Sequence, residues 1–199
     1  MITTEFRESK IIEYKSLFCN IYRINTDTLN EYYIIDNKKE YAIDTIQTSP
    51  FNKTKSGIDN IIKYKNKYVG NNSNIGNLLY DLLLSEYGLV FEIDSNNFGI
   101  IVDYNTTDWY INDNLYIEKS LIYNSVSIFL LIDNVEYIKY NFSGSSYTVT
   151  RDNLENNYPH YIEIKNEELN KGEFNQYVEQ KMNEYDFVEK QFNVLFSKI

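Results

Sequence analysis

The sequence is poor in the residues that most often carry chemistry. It holds one cysteine, Cys19, and one histidine, His160. A single thiol allows no internal disulfide. With Phe18 and Ile21 beside it, Cys19 reads as a small buried hydrophobe rather than a reactive thiol. One Cys and one His do not complete a structural zinc site, and zincin motifs need two histidines. A hydrolytic triad needs its histidine beside a nucleophile and an acid. His160 instead follows Pro159 and reads as a surface or turn histidine. The expectation is no metal, no cofactor and no catalytic residue.

Only 2 Pro and 7 Gly are present, which argues against long structureless linkers. No apolar run reaches the roughly 18 residues that would suggest a membrane span. The start, "MITTEFRESK", is polar and lacks the pattern of a signal peptide. Membrane insertion by this chain is not expected. The location read from this is cytoplasmic, or extracytoplasmic if the sequence is cut from an anchored protein. A basic stripe is missing too. The chain carries 19 Lys+Arg against 29 Asp+Glu, a net charge of -10. Duplex nucleic acid and anionic membrane surfaces are disfavoured as partners, because both are held by basic patches.

What is there points to a packed protein. Hydrophobic residues make up 43% and aromatics 16%, including 20 Tyr and 11 Phe, which excludes compositional disorder. A chain of 199 residues buries enough surface to need no disulfide or metal staple. Asn, Ile, Lys and Tyr are over-used, and all four have A/T-rich codons. Clusters of asparagine therefore carry less weight as signals.

Hydrophobic spacing sketches the elements. Residues 10–50 read as strands, with "EYYIIDNKKEYAIDTI" as a hairpin turning at Asp36-Asn37-Lys38-Lys39. "TSPFNKTKSG", residues 48–57, reads as a connector. The organisation is a β-rich segment over 1–50 and an α+β domain over 58–199, or one integrated domain. A short helix is predicted after Gly57. Another begins between Asn71 and Asn74 and runs through Ile75, Leu78, Leu79, Leu82 and Leu83, capped by Asn72, Ser73 or Asn74. Hairpins are predicted around Ser95-Asn96-Asn97 and around Gly144. Residues 113–132 are too long for a strand and fit a helix. Asp152 and Glu155 fit a capping box for a short helix before Pro159. From 173 to 198, apolar residues at spacings of three and four predict one long helix. Antiparallel hairpins packed with segregated helices, one of them long and C-terminal, make the fold class α+β.

Motifs for ligand chemistry are sought and fail. A phosphate-binding loop needs G-x-x-x-x-G-K-[ST]. Gly70 and Gly76 are five residues apart, and Asn77 stands where the lysine belongs. "DSNNFGIIVDYN" places Asp94, Asn96 and Gly99 like a calcium loop, but Phe98 and Asn105 break the ligand pattern. Asn-X-Ser/Thr at Asn52, Asn71, Asn105 and Asn141 is chance in an Asn-rich chain. With 29 acids, a carboxylate pair carries no information. The aromatic surplus remains. Tyr22, Tyr32, Tyr33, Trp109, Tyr110 and Tyr116 are candidates for a recognition surface, with Tyr32, Tyr33, Trp109 and Tyr110 foremost, since Tyr and Trp favour interfaces. Core packing is the competing reading of the same residues.

One stretch, "YVGNNSNIGN" from Tyr68 to Asn77, is more specific. With "FEIDSNNFGIIVDY", "LIYNSVSIFLLIDNVEYIKYNF" and "YTVTRDNLENNY" following in order, it resembles an uncharacterised bacterial domain family common in Gram-positive organisms. Members show a Y-V-G-[DN]-N-S-x-[VI]-G-N signature, and the resemblance covers about residues 60–160. It marks Tyr68, Val69, Gly70, Asn72, Ser73, Gly76 and Asn77. Physically these read as structural: Gly70 for positive φ or close approach, Asn72 and Ser73 as caps, and Gly76 for close packing. Relatives are often lipoproteins or the extracytoplasmic tails of membrane metallopeptidases of the β-lactam-sensor type. This chain shows no lipobox and no zinc-peptidase motif, so peptidase activity is not implied. The resemblance implies a non-catalytic binding or sensing accessory module, with another protein as partner. The alternative is a small acidic inhibitor or immunity-type protein acting by protein-protein contact. Carboxylate-only enzyme chemistry comes third.

Overall fold

Runs of β-branched and aromatic residues near the N-terminus form four strands in a computed structural model of the chain. The structure describes the backbone of residues 10–15, 20–26, 29–36 and 39–42, and residues 56–108, 115–165 and 169–198. Two compact units emerge, Met1–Ser49 and Pro50–Ile199.

In the first unit, β1 (Lys10–Lys15), β2 (Asn20–Thr26), β3 (Leu29–Asp36) and β4 (Lys39–Ala42) make an antiparallel sheet in sequence order. Asp36 lies opposite Lys39, which is the hairpin expected there. "IIEYKSLFCNIYRI" resolves into two paired strands rather than one.

The second unit begins with α1 (Ile58–Ile61) and α2 (Asn72–Asp81). Next come β5 (Leu89–Asp94) and β6 (Gly99–Tyr104), then α3 (Tyr116–Leu131). A second hairpin, β7 (Tyr137–Phe142) and β8 (Ser145–Thr150), leads into α4 (Arg151–Asn157) and α5 (Tyr161–Ile164). The C-terminal part holds α6 (Lys171–Phe174), α7 (Tyr185–Leu195) and the short β9 (Ser197–Lys198). The sheet order is β5-β6-β7-β8-β9. β6 and β7 are parallel, and the other neighbours are antiparallel. A parallel pair needs a crossover rather than a tight turn. α3 is that crossover, and 14 of its 16 residues are buried. A helix apolar all round belongs in a core, which is why its sequence shows only a blurred face.

Alternation along the strands sets the inner face. Ile100, Val102 and Tyr104 on β6, Ile138, Tyr140 and Phe142 on β7, and Tyr147 and Val149 on β8 are buried. Ser125 on α3 meets the Tyr140 hydroxyl at 3.0 Å. Asn124 reaches back to residue 83: its amide donates to the Leu83 carbonyl at 2.8 Å and accepts from the Leu83 amide at 3.1 Å. That buried pair fixes the turn in which Leu84 adopts φ 71°.

Several local expectations change. The cap of α2 is Asn71, whose side chain accepts from the Asn74 amide at 3.2 Å; Asn72 and Ser73 lie exposed in the first turn. Gly70 has neither positive φ nor close neighbours. Thr150, not Asp152, caps α4, and Glu155 bonds Lys165 and Arg151 instead of closing a capping box. The C-terminal segment is helical in pieces. Beyond α6 the chain widens into a π-turn over Asn175–Glu179, tightens into a 3-10 turn over Lys181–Asn183, and extends at Glu184 before α7. The physical cause lies in the spacing of Phe174, Val178 and Met182, all buried. Steps of four drift by roughly 40° each on a 3.6-residue helix. A wider turn keeps the three on one line. Tyr185, 50% exposed, falls outside that line.

Two glycines are used for close approach. A Cβ at Gly99 would lie 2.1 Å from the Tyr137 ring, so Tyr137 can cross β6 only over a glycine. At Gly76 a Cβ would meet the Phe91 ring at 3.2 Å. Gly76→Ala should change stability by less than about 1 kcal/mol, because the gain in helix propensity offsets a small shift of Phe91. Gly76→Val should cost roughly 1–3 kcal/mol by overpacking. Urea denaturation of both variants checks this, and a valine variant as stable as wild type would overturn it.

Candidate functional site

The signature segment is the end of the loop before α2, Tyr68–Asn71, followed by the first turns of α2, Asn72–Asn77, and the loop backbone is tied to the end of α3. Asn66 donates from its amide to the Leu131 carbonyl at 2.8 Å and accepts from the Asp133 amide at 3.0 Å. The Val69 amide donates to Asn134 Oδ1 at 2.6 Å. Asn66 Oδ1 accepts from the Tyr68 amide at 2.9 Å, and the Asn74 side chain donates to the Tyr64 carbonyl at 2.7 Å. "YVG" and "LIDN", 62 positions apart in sequence from Val69 to Leu131, are thus one piece of structure. Val69 is 2% exposed and anchors the loop in the core.

The structural reading of the signature divides here. Val69 and Gly76 are buried and do structural work; Asn71, Asn74 and Asn66, outside the marked set, do the capping and bracing. Tyr68, Gly70, Asn72, Ser73 and Asn77 are exposed. Ser73 and Asn77 stand one turn apart on the same side of α2. Tyr68 is 67% exposed, although its loop is held by the bonds to Leu131, Asp133 and Asn134. Beside it lies a shallow depression of about 430 Å³, lined by Lys65, Asn66, Lys67, Tyr68 and Asp133. It carries both signs of charge, an amide and an aromatic ring.

A second depression, of about 440 Å³, opens at the C-terminal ends of the parallel strands β6 and β7. Asp103 is held there by Asn141, which donates at 2.6 Å and accepts from Ser146 at 2.7 Å. Both depressions are open and shallow, which suits contact with a surface better than enclosure of a small substrate.

Titratable groups here serve packing. In the β5–β6 turn, the Asn97 side chain, Tyr137 and the backbone amides of Asn97 and Asn96 hold the Asp94 carboxyl below its usual range. Burial pushes the hydroxyls of Tyr104, Tyr140 and Tyr158 up, so they stay protonated. For Glu155, burial pulls upward, but Lys165 and Arg151 prevail and lower it.

The candidate residues of the sequence are scattered. Tyr32 and Tyr33 sit on β3 of the first unit, opposite Arg23 and Tyr22. Trp109 and Tyr110, like Cys19, lie outside the described residues. Tyr116 donates to Glu86 at 2.6 Å. His160 adopts φ 61°, stacks on Tyr177 at 4.1 Å and pairs with Glu163 at 3.5 Å, a turn residue at a helix start. No group of three or more His, Cys, Asp or Glu with metal-site geometry occurs among the described residues. No described helix is long and apolar enough to cross a membrane.

A residue that sequence reasoning missed is Arg151, 8% exposed, which binds three carbonyls around the end of α3. It is one of only three arginines in a lysine-rich chain, and that rarity was the available signal.

Comparison with known proteins matches residues 61–152 to the model of a domain of unknown function (DUF4825), a span covering a little under half of the chain. No curated protein and no solved structure gives a significant match.

Proposed function

We propose that this chain is a non-catalytic binding or sensing module that contacts a partner protein through the loop of Lys65–Ser73. The observation that carries the reading is Tyr68: a large aromatic, 67% exposed, on a loop held by backbone bonds to the end of α3. Ordering a tyrosine on a rigid support in advance lowers the entropic cost of binding, and such residues dominate interface energetics. The exposed Asn72, Ser73 and Asn77 extend the same surface with uncharged polar groups. The resemblance to an uncharacterised domain family, whose members are often lipoproteins or extracytoplasmic tails of membrane metallopeptidases of the β-lactam-sensor type, supports an accessory role.

A photocrosslinking residue placed at position 68 in the native host tests this, with Tyr185, an exposed tyrosine at 50%, as the control position. A discrete crosslinked species at 68 and not at 185 is expected. Tyr68→Ala should weaken capture of that species by about 30-fold or more, as loss of a hot spot does. It should leave thermal stability within about 0.5 kcal/mol of wild type. Equal crosslinking at both positions, or none at 68, would overturn the proposal.

A further inference from the structure

The five-stranded sheet ends on β5, which among the described residues has a neighbouring strand only on its β6 side. The phase of that ladder decides which backbone groups are spare. The Asn105 amide donates to the Gly88 carbonyl at 3.0 Å, one step beyond the Leu89–Tyr104 pair. Hydrogen-bonded and non-hydrogen-bonded pairs alternate in an antiparallel ladder. Val90, Glu92 and Asp94 therefore turn their backbone groups to β6, and Leu89, Phe91 and Ile93 turn theirs outward. An independent contact agrees: the Tyr80 hydroxyl donates to the outward carbonyl of Leu89 at 3.4 Å. Phe91 and Ile93 have no outward hydrogen bond among the described residues.

Exposed edges are usually blunted by Pro, Lys, a bulge or extreme shortness. β5 has none of these. Its six residues, Leu-Val-Phe-Glu-Ile-Asp, pair with β6 in unbroken register. Val90 is 59% exposed on the outer face. Glu92 is exposed two residues on, and Asp103 lies opposite Val90. The register across Ile101 puts Lys139 two strands from Glu92, and among the described residues the two form no ion pair. The open edge is thus apolar with an acidic rim.

We propose that β5 accepts an extended segment of a partner protein as an added strand, with an apolar residue beside Val90 and a Lys or Arg beside Glu92. Main-chain bonds to Phe91 and Ile93 would supply affinity, and the side chains beside Val90 and Glu92 would supply selectivity. Leu89, already met by Tyr80, marks one end of the added pairing. The site is separate from the Tyr68 loop and does not depend on it.

Amide hydrogen exchange read by NMR tests the edge directly. In the free protein, the amides of Phe91 and Ile93 should exchange fast, while those of Val90 and Glu92, bonded to β6, are protected. The probe is a Lys/Val peptide of about eight residues, the usual length of a strand. Val and Lys alternate at every second position so that both fall on one face, as in Thr-Val-Thr-Lys-Thr-Val-Thr-Lys. A Glu/Val peptide has Glu in place of Lys. The Lys/Val peptide should slow exchange at Phe91 and Ile93 by about tenfold or more. The same peptide N-methylated at alternate residues, and the Glu/Val peptide, should not. Ile93→Pro removes an outward N–H without breaking the β6 ladder, and should abolish the effect. If that variant fails to fold, Glu92→Lys, at an exposed position, should reverse the preference to the Glu/Val peptide. Tyr68→Ala should change none of this. The proposal is overturned if Phe91 and Ile93 are already protected without peptide, including protection that grows with protein concentration and so reports a second copy. It is also overturned if N-methylation leaves peptide binding intact.

Discussion

Arg151→Leu should remove most of the stability of the Pro50–Ile199 unit. The side chain is 8% exposed, and its fork reaches three carbonyls: Nε to Val135 at 2.6 Å, Nη2 to Ile132 at 2.7 Å and Nη1 to Phe129 at 3.0 Å. These belong to the last turn of α3 and the segment that leaves it, where helix carbonyls have no partner of their own. The negative end of the helix dipole favours a cation at that place. Phe129 lies 5.0 Å beneath the guanidinium, and Glu155 balances part of its charge at 3.4 Å. Leucine would fill part of the volume and leave three buried acceptors unpaired. Each costs about 1–3 kcal/mol, so the sum is of the order of a whole domain's stability of about 5–15 kcal/mol. Arg151→Lys should fall between, because one ammonium cannot serve three divergent carbonyls. Urea denaturation followed by circular dichroism orders the three proteins. A leucine variant within about 1 kcal/mol of wild type would show that water replaces the guanidinium at no great cost.

Arg151 also shows where sequence reading stops. "TVTRDNLENNY" fits a capping box by spacing alone, with Asp152 and Glu155 three apart. Spacing along one helix reports only that helix, and Thr150 meets the Asn153 amide at 3.2 Å while Glu155 serves Lys165 and Arg151. What Arg151 does depends on a crossover helix that ends 20 residues earlier, and no local pattern carries that. The hairpins around Ser95-Asn96-Asn97 and around Gly144 were legible, because strand alternation and turn residues are local. So was the start of α2, although its cap is Asn71. The helix ends at Asp81, and Leu82 is already extended, where the spacing predicts helix through Leu82 and Leu83. The parallel β6–β7 pair was not legible, since adjacency of strands separated by a helix is decided by packing. In the candidate site, the signature segment was visible as a segment. Its division into buried Val69 and Gly76 and exposed Tyr68, Asn72, Ser73 and Asn77 was not, because the loop is held by Leu131, Asp133 and Asn134 from another part of the chain.

Deleting residues from Tyr185 to the C-terminus should leave the Pro50–Ile199 unit unable to fold. α7 does more than cover a surface. Six aromatic side chains form a closed circuit in which each touches the next. Tyr104 stacks on Phe142 at 5.1 Å, Phe142 meets Tyr147 at 6.0 Å, and Tyr147 meets Phe192 at 5.4 Å. Phe192 stacks on Phe196 at 4.8 Å, Phe196 lies 6.4 Å from Tyr140, and Tyr140 returns to Tyr104 at 6.3 Å. Four members come from β6, β7 and β8, and two come from α7 and the residue after it. Val188 and Leu195 are buried in the same layer, and Phe187 meets Tyr158 edge-on at 6.0 Å. Asn153 on α4 closes the end of α7, donating to the carbonyls of Leu195 at 2.9 Å and Val194 at 3.1 Å. Val188 and Leu195, fully buried, each contribute roughly 1.5–3 kcal/mol and the half-buried Phe187, Phe192 and Phe196 less, and each aromatic pair adds about 0.5–1.5 kcal/mol. For Phe187, Val188, Phe192, Leu195 and Phe196 together this rivals the typical total of about 5–15 kcal/mol. The truncated chain would also expose Phe142, Tyr147 and Tyr158 as one apolar patch, which favours aggregation. The expected result is no cooperative thermal transition, strong binding of a hydrophobic dye and elution in the void volume. A truncated chain that stays monomeric and melts cooperatively would show that α7 contributes little to the unit. The segment would then be a detachable arm, and the search for the partner surface would move to the residues it uncovers.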